Sequence, residues 1–279
     1  MLPVTLVDGT GVTVVVSSVA RIVPVDGDVA EIVFALGLGD QVVATDLSAM
    51  YPPEAAARPR IGYQRALNAE PIAAVAPTLV LATDLARPVE ALAQIRSLGI
   101  PLVVVRRTMD LGGPAAKIRA VAAALGVPGR GEVLARRVEG ELEQAAAVAR
   151  RAVTHPKVLV LYVRGEQVQL ILGHGSGIDA VLAAAGATDV ASELGFADSQ
   201  PITAEAMLRA APDVLVVTTT GLASVGGLDG LLSIHAIART PAGQQRRVLA
   251  FEDQYLLGAG PRTGQLLGEL TRALHPSSN

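Results

Sequence analysis

The sequence predicts an α/β protein composed of two similar lobes. Three observations indicate this fold class: short apolar, β-branched segments alternate with helical segments, one long helical segment divides the chain, and a sequence pattern occurs twice. The apolar segments are mostly continuous, which is typical of strands that are covered on both faces of a parallel sheet. We expect strands at positions 12–16, 21–25, 41–45, 78–83, 101–105, 157–163, 169–172, 213–219 and 247–251.

Local signals mark the ends of several elements. The segment Asp8-Gly-Thr-Gly11 predicts the turn of a hairpin near the N-terminus. Asp28 is expected to cap a helix that ends at Gly37. Two further helices are expected to begin at Pro88 and Pro114, because proline is well suited to the first helical turn.

One helical segment is longer than a connection between two strands requires. From Glu132 to about Val153 the chain has a single glycine and no proline, and a helix of that length measures about 33 Å. We predict that it joins an N-terminal lobe (1–127) to a C-terminal lobe (156–279), within a linking segment at 128–155.

An internal repeat supports the division into two lobes. Residues 68–84 and 203–219 share a capped Ala-Glu helix start, an Ala-Pro step and a buried strand that ends in threonine. A weaker similarity relates 31–40 to 179–188. The sequence therefore predicts two Rossmann-like lobes joined by one long rigid α-helix, with a ligand cleft between the lobes.

The composition excludes several functional classes. The chain has 279 residues, 51% of them hydrophobic, no cysteine and a formal charge of −3. Such a chain is not disordered, and without cysteine it is neither a disulfide scaffold nor a zinc-thiolate or iron–sulfur protein. Its acidic charge argues against nucleic-acid partners. No apolar run approaches the ~20 residues of a membrane-spanning helix. The first residues lack a signal-peptide pattern, so an exported form would have lost its leader.

The motifs favour binding over catalysis. The chain has no G-x-S-x-G, H-E-x-x-H or P-loop motif. The glycine-rich segment Gly173–Gly177 contains His174 and Ser176, but nothing in the sequence pairs them as nucleophile and base. His174 follows a predicted strand and precedes a helix, and α/β proteins bind ligands at such strand ends. A ligand role and a structural role both remain open for it.

Tyr63 is the second candidate ligand. It lies in the segment 59–68, with Arg65 two residues later. In an extended loop, residues two apart point the same way, so the Arg65 guanidinium could reach the Tyr63 oxygen. A guanidinium and a ferric ion both favour the phenolate form, and tyrosine is a known axial ligand of haem iron. The alternative is a surface tyrosine that happens to lie near an arginine.

Nearly the whole chain, from Arg21 to Leu274, resembles a known family. The shared motifs include Arg21-Ile-Val-x-x-x-Gly-Asp-Val-Ala-Glu-Ile-Val-x-Ala-Leu-Gly, Val42-Val-Ala-Thr-Asp with Tyr51-Pro, Gly173-x-Gly-x-Gly and, most specifically, Ile61-Gly-Tyr-x-Arg-Ala-Leu67. The sequence is similar to the haem-binding substrate-binding proteins of bacterial ABC importers. Their helical-backbone type also includes cobalamin- and siderophore-binding members.

The resemblance implies roles for the candidate residues. Tyr63 would be the axial ligand of ferric haem, with Arg65 hydrogen-bonded to its phenolate. His174, in the turn formed with Gly173 and Gly175, would hold a second haem, or one haem would be bridged by both lobes. The expected cargo is therefore one or two haem groups per chain, and no enzymatic activity is expected.

The resemblance also implies a partner and a location. Glu70 and Glu205, at equivalent positions of the repeat, would pair with arginines of an ABC permease dimer, and delivery would occur in the periplasm or at the cell surface. The alternative for both glutamates is that a negative charge simply suits a helix N-terminus. Three other functions remain open: binding of cobalamin or a ferric siderophore, an α/β enzyme that uses the His174 turn, and cytosolic haem trafficking.

Overall fold

A computed structural model describes residues 2–165 and 168–276, and it confirms the α/β class. The chain forms two compact units. Unit 1 comprises the chain up to Thr108, Gly112–Glu139 and Gly258–Pro261. Unit 2 comprises Met109–Leu111, Gly140–Leu257 and the chain from Arg262. The division falls within a helix, and the predicted three-segment boundaries stay a prediction.

Unit 1 contains a parallel three-stranded sheet in the order β3-β6-β7, together with two small hairpins. Its strands are β1 (Val4–Val7), β2 (Thr13–Val16), β3 (Ile22–Val25), β4 (Gly62–Tyr63), β5 (Ala66–Leu67), β6 (Leu79–Thr83) and β7 (Leu102–Val105). Its helices are α1 (Gly27–Ala35), α2 (Pro53–Ala56), α3 (Ala69–Ala74), α4 (Val89–Ser97) and α5 (Gly113–Ala124), with a 3₁₀ turn at Gly39–Gln41. The helix α6 (Pro128–Ala149) follows.

Unit 2 contains a mixed sheet in the order β11-β9-β8-β12-β13, with β10 beside β8. Strands β8, β12 and β13 are parallel, and β9 and β11 are antiparallel to their neighbours. The strands are β8 (Lys157–Arg164), β9 (Val168–Leu172), β10 (Thr188–Asp189), β11 (Ser199–Pro201), β12 (Val214–Thr218) and β13 (Val248–Phe251). The helices are α7 (Ile178–Ala184), α8 (Val190–Glu193), α9 (Ala204–Ala210), α10 (Thr219–Ser224), α11 (Gly227–Ser233), α12 (His235–Ala238), α13 (Pro241–Gln244), α14 (Asp253–Leu257) and α15 (Thr263–Leu274).

The long helix α6 is present but shifted toward the N-terminus relative to the prediction. It begins at Pro128 because proline fits the first helical turn, and it tolerates the early glycines. A Cβ atom on Gly131 would lie only 2.2 Å from Cβ of Ala122, so this glycine allows α5 and α6 to approach closely. Beyond Ala149, the backbone of Arg151 bonds to Val148, a tightened turn that ends the helix.

Two local predictions are wrong. The segment 41–45 forms only isolated bridges, because Val43 bonds to Ile22 while Thr45 bonds to Pro59, so no single neighbour pairs with it along its length. Asp28 does not cap α1. The helix begins one residue earlier, and Asp28 lies buried within its first turn.

The sequence repeat corresponds to equivalent elements in the two units. Asn68 caps α3 and Thr203 caps α9, and both strands that follow, β6 and β12, are buried along their whole length. Between helix and strand, Ala76 and Ala211 adopt left-handed conformations with φ of 44° and 41°, each before a proline. No helix of the described residues is long and apolar enough to span a membrane.

Candidate functional site

Tyr63 lies at the end of a tight hairpin. Strands β4 and β5 pair antiparallel with Tyr63 opposite Ala66, so Gln64 and Arg65 form a two-residue turn. The Tyr63 side chain is 38% exposed. The expectation of an extended loop is therefore wrong, because the chain reverses direction between Tyr63 and Arg65 and strand alternation cannot orient them. The contact between their side chains stays a prediction.

The hairpin is braced on both sides by backbone hydrogen bonds. The Leu47 amide donates to the Gly62 carbonyl at 2.8 Å. On the other edge, Arg87 donates to Gln64 and accepts from Leu67, both at 2.8 Å. Gln64 and Leu67 are buried, whereas Tyr63 is exposed. Tyr63 is therefore partly exposed on a hairpin whose backbone is held by hydrogen bonds on both edges.

Exposed apolar side chains lie in the segment that pairs with this hairpin. Leu47 is 53% exposed, Met50 is 55% exposed and Tyr51 is 41% exposed. We call Leu47, Met50 and Tyr51 the apolar platform. Three exposed apolar residues within five positions of the chain are a candidate binding surface. No motif assigns these residues a role, although the Met50-Tyr51 pair directly before two prolines is a visible signal.

A buried polar network fixes the backbone of the platform segment. The Asp46 carboxylate accepts hydrogen bonds from the Ser48 amide at 3.1 Å and from the Ser48 hydroxyl at 3.0 Å. The Gly27 amide at the start of α1 donates to the same hydroxyl at 2.8 Å. The Arg60 guanidinium donates to the carbonyls of Asp46 at 2.6 Å and Ala49 at 3.0 Å. Burial raises the pKa of Asp46.

A cluster of buried ionisable groups surrounds the start of α1. Lys117 is only 3% exposed; it pairs with Asp28 and donates to the Gly258 carbonyl at 3.0 Å. Asp26 accepts a hydrogen bond from Thr83. Burial, together with the charge of Asp28, raises the pKa of Asp26 to about 8. Lys117 and Asp28 are 89 positions apart, so no local sequence pattern indicates that they meet.

His174 lies in a turn at the end of β9. Its amide donates to Phe196 at 2.9 Å, and its carbonyl accepts from Asp198 at 2.8 Å. The imidazole is 81% exposed, and its Nδ1 atom lies 3.3 Å from a carboxylate oxygen of Asp179. The backbone of His174 is therefore fixed while its ring projects into solvent. Asp179 is a partner that the sequence analysis missed.

Glycine is required at the two positions beside His174 for different structural reasons. A Cβ atom on Gly173 would lie 2.2 Å from the Phe196 carbonyl oxygen, so only glycine allows the two segments to meet. Gly175 has φ of +81°, which side chains rarely adopt. Both glycines shape the turn that presents His174. Their predicted contact with a cofactor stays a prediction.

A second Tyr-x-Arg sequence occurs at the carboxyl end of β8. Tyr162 and Arg164 lie on one face of this strand, and the Arg164 guanidinium stacks 4.3 Å from the centre of the Tyr162 ring. Arg164 also forms an ion pair with Asp253 and donates to the Thr218 hydroxyl at 3.1 Å. This pair was not predicted, although its spacing is the same as that of Tyr63 and Arg65.

Glu70 and Glu205 occupy matching positions. Each is exposed in the first turn of its helix, α3 or α9. Glu70 also lies on an open groove of about 720 Å³ between α3 and α4, and it is the only charged residue among the described residues that line it. The groove is lined by Asn68, Ala69, Glu70, Ala73, Ala74, Gln94, Ser97 and Leu98.

No conventional metal cluster is found in the part of the chain that the structure describes. Within it, no group of three or more His, Asp or Glu side chains is arranged to hold a metal ion. Iron in a porphyrin differs from a bare ion, because the macrocycle supplies four ligands and a protein adds only axial ones. Tyr63, His174 and Tyr162 each offer a suitable atom for that axial role.

Comparison with known proteins shows extensive similarity to binding proteins. The periplasmic haem-binding protein RhuT of Roseiflexus sp. RS-1, in its apo form, is 50% identical with a TM-score of 0.89, covering 91% of this chain and 97% of that chain. The haem-binding protein BhuT in complex with two haems is 36% identical with a TM-score of 0.85, over the same fractions of both chains.

Two further relatives, at lower sequence identity, are also binding proteins. The uncharacterised ABC transporter substrate-binding lipoprotein YvrC of Bacillus subtilis is 24% identical over 100% of this chain and 87% of its own length. A vitamin B12-binding protein of Vibrio cholerae is 34% identical, but only over 29% of this chain and 30% of its own length. A model of the periplasmic binding protein family matches residues 22–255. Because this match spans most of the chain, the protein belongs to the periplasmic binding protein family.

Proposed function

We propose that this protein binds ferric haem outside the cytoplasmic membrane and delivers it to an ABC importer. The observation that carries the proposal is the exposed Tyr63 phenol on a braced hairpin, next to the apolar platform of Leu47, Met50 and Tyr51. An anionic oxygen suits ferric iron, and apolar side chains suit the faces of a porphyrin. The similarity to RhuT and BhuT supports the same ligand.

The chemistry assigned to Tyr63 requires a phenolate. The ordinary pKa of a phenol is near 10, so ionisation at neutral pH needs a stabilising positive charge. Ferric iron supplies most of it, and Arg65, which we propose to approach the phenolate, supplies the rest. This ligand favours the ferric state, so the cargo is transported oxidised. Partial neutralisation of the phenolate by Arg65 weakens the iron–oxygen bond and favours release.

Unit 2 offers two candidate ligands. His174 is the ligand that we propose for a second iron site, because its ring is exposed on a fixed backbone. The stacking of Arg164 on Tyr162 favours a competing assignment, since it places a cation beside a phenol. BhuT, which binds two haems, supports a stoichiometry of two, and the distinction requires titration of single variants.

The experiment is a hemin titration of the purified apoprotein, followed in the Soret and charge-transfer regions. We expect a saturable ferric spectrum with a phenolate charge-transfer band. Tyr63→Phe should lose this band and at least tenfold in affinity, about 1.4 kcal/mol. Tyr51→Phe is the matched control, because it removes the hydroxyl of a neighbouring exposed tyrosine and should keep the band. A band that persists in Tyr63→Phe contradicts the assignment.

Parallel titrations separate the unit 2 candidates. His174→Ala should reduce the number of haems bound or the coordination number while the Tyr63 band remains. Tyr162→Phe should leave both unchanged if His174 is the ligand. The opposite pattern, in which only Tyr162→Phe reduces the number of haems bound or the coordination number, would assign the ligand role to Tyr162.

The main alternative ligand is cobalamin, which the partial similarity to vitamin B12-binding proteins supports. It is weaker support, because that similarity covers less than a third of the chain, whereas RhuT is 50% identical over 91% of it. Competition decides the matter: cyanocobalamin or a ferric siderophore in excess should not displace haem. Tight cobalamin binding without a haem spectrum would favour the alternative.

We further propose that Glu70 and Glu205 dock on basic residues of the permease. Their matched exposure in the two units supports a partner with two equivalent sites, and the groove beside Glu70 gives it room for an arginine side chain. Glu70→Gln and Glu205→Gln should reduce haem uptake and stimulated ATP hydrolysis in reconstituted importer without changing haem affinity. Glu90→Gln, an exposed first-turn glutamate of α4, is the control and should have no effect.

A further inference from the structure

A single carboxylate organises the turn that carries His174. One oxygen of Asp179 accepts a hydrogen bond from the Gly175 amide and the other accepts one from the Gly177 amide, each at 2.9 Å. The side chain is only 14% exposed. Both oxygens are therefore directed into the turn and away from solvent, and the carboxylate closes the loop between β9 and α7.

The same carboxylate faces one nitrogen of the imidazole. Its oxygen that binds Gly175 lies 3.3 Å from His174 Nδ1, whereas the ring as a whole is 81% exposed. A carboxylate is an acceptor only, so its charge favours a proton on Nδ1. The neutral ring then carries its lone pair on Nε2, the nitrogen away from Asp179. Histidines that bind metals commonly have this arrangement, which fixes the tautomer and raises the basicity of the ligand.

We propose that Asp179 is a positioning residue that presents the Nε2 lone pair of His174 to haem iron. This inference rests on the proposed function, in which His174 is the unit 2 ligand. Asp179 does not touch the iron; it selects which nitrogen is available and holds the turn in place. A purely structural Asp179 would shape the turn without setting the tautomer, and the two possibilities differ in a measurable property of the apoprotein.

The first test is the tautomer of His174 in the apoprotein, read from ¹⁵N chemical shifts in alkaline buffer, where an ordinary imidazole is neutral. Wild type should carry its proton on Nδ1. In Asp179→Asn, the side-chain amide can donate to Nδ1, so the population should move toward a proton on Nε2. A wild-type ring protonated mainly on Nε2, or an unchanged population in Asp179→Asn, would overturn the proposal.

A matched control is available in the same unit. Asp189 is also an aspartate at a helix start, where its carboxylate accepts from the Ala191 amide at 3.0 Å and from the Ser192 hydroxyl. Asp189→Asn should leave the His174 tautomer unchanged. If it shifts the tautomer as much as Asp179→Asn does, the effect reflects a general disturbance of unit 2 and the proposal fails.

The second test uses hemin-loaded protein. Asp179→Asn should lower the haem affinity of the His174 site by about tenfold, as measured from the His174-dependent part of the spectrum. The Tyr63 band should remain. This design separates the two failures. An unaltered tautomer refutes the role of Asp179 even if haem binds, whereas a shifted tautomer in a protein that binds no haem refutes the proposed function. Normal His174 ligation in Asp179→Asn also overturns the positioning role.

Discussion

The Tyr63 hairpin of unit 1 and the His174 turn of unit 2 present a candidate ligand side chain by different means. Tyr63 is 38% exposed on a hairpin that backbone hydrogen bonds brace, and the buried carboxylate of Asp46 holds the adjoining platform segment. His174 is 81% exposed on a glycine-rich turn that one carboxylate closes. The comparison indicates that the unit 1 site depends on the interior of its unit, whereas the unit 2 site depends on local backbone geometry.

The largest expected effect tests the buried charges of unit 1. Lys117→Met removes the cation that pairs with Asp28 and leaves a buried carboxylate without compensation. We expect the free energy of unfolding to fall by about 3–5 kcal/mol, measured by chemical denaturation. In unit 2, Arg150→Met breaks the exposed pair between Arg150 and Glu143 and should cost about 0–1 kcal/mol. Equal losses of unfolding free energy in Lys117→Met and Arg150→Met would contradict this difference between the units.

The second prediction concerns the pH dependence of stability in unit 1. Because the pKa of Asp26 is raised from 3.8 to about 8, the folded protein retains a proton that the unfolded chain releases. The free energy of unfolding should therefore decrease as pH rises from 3.8 toward 8, by a few kcal/mol. Asp26→Asn should flatten this slope, while Asp40→Asn, at an exposed carboxylate, should preserve it. A rise in wild-type stability over this interval would count against a buried neutral Asp26.

The third prediction tests the local geometry of unit 2. Gly173→Ala places a Cβ atom 2.2 Å from a backbone oxygen of Phe196 and should destabilise the protein by about 1–3 kcal/mol. Gly175→Ala meets no comparable obstruction, its nearest neighbour being Asp198 at 3.6 Å. It introduces only a strained φ, so the expected cost is about 1 kcal/mol. Thermal denaturation compares the two, and a Gly175 variant that is less stable than the Gly173 variant would reverse the explanation.

The sequence predicted the elements whose signals are local. Continuous β-branched segments became β6, β8 and β12, and the repeated Ala-Glu helix starts became α3 and α9. The segment 41–45 has the same apolar composition, but its hydrogen bonds are divided between two neighbours. The apolar composition of a segment indicates that it is buried, but not which neighbouring backbone is available to pair with it.

The candidate site was predictable only in part. Residue type and position predicted Tyr63 and His174 as ligands, and both are exposed in the structure, while their ligand role stays a prediction. The turn at Gln64–Arg65 was missed because no glycine or proline marks it. The pair of Lys117 and Asp28 joins residues 89 positions apart, and a single sequence carries no record of such contacts.

The most direct test of the central claim is resonance Raman spectroscopy of the hemin-loaded protein, with excitation in the charge-transfer band. If the Tyr63 phenolate binds the iron, wild type should show enhanced tyrosinate modes, Tyr63→Phe should lack them, and Tyr51→Phe should retain them. Tyrosinate modes that survive in Tyr63→Phe, or their absence from wild type with haem bound, would contradict the account.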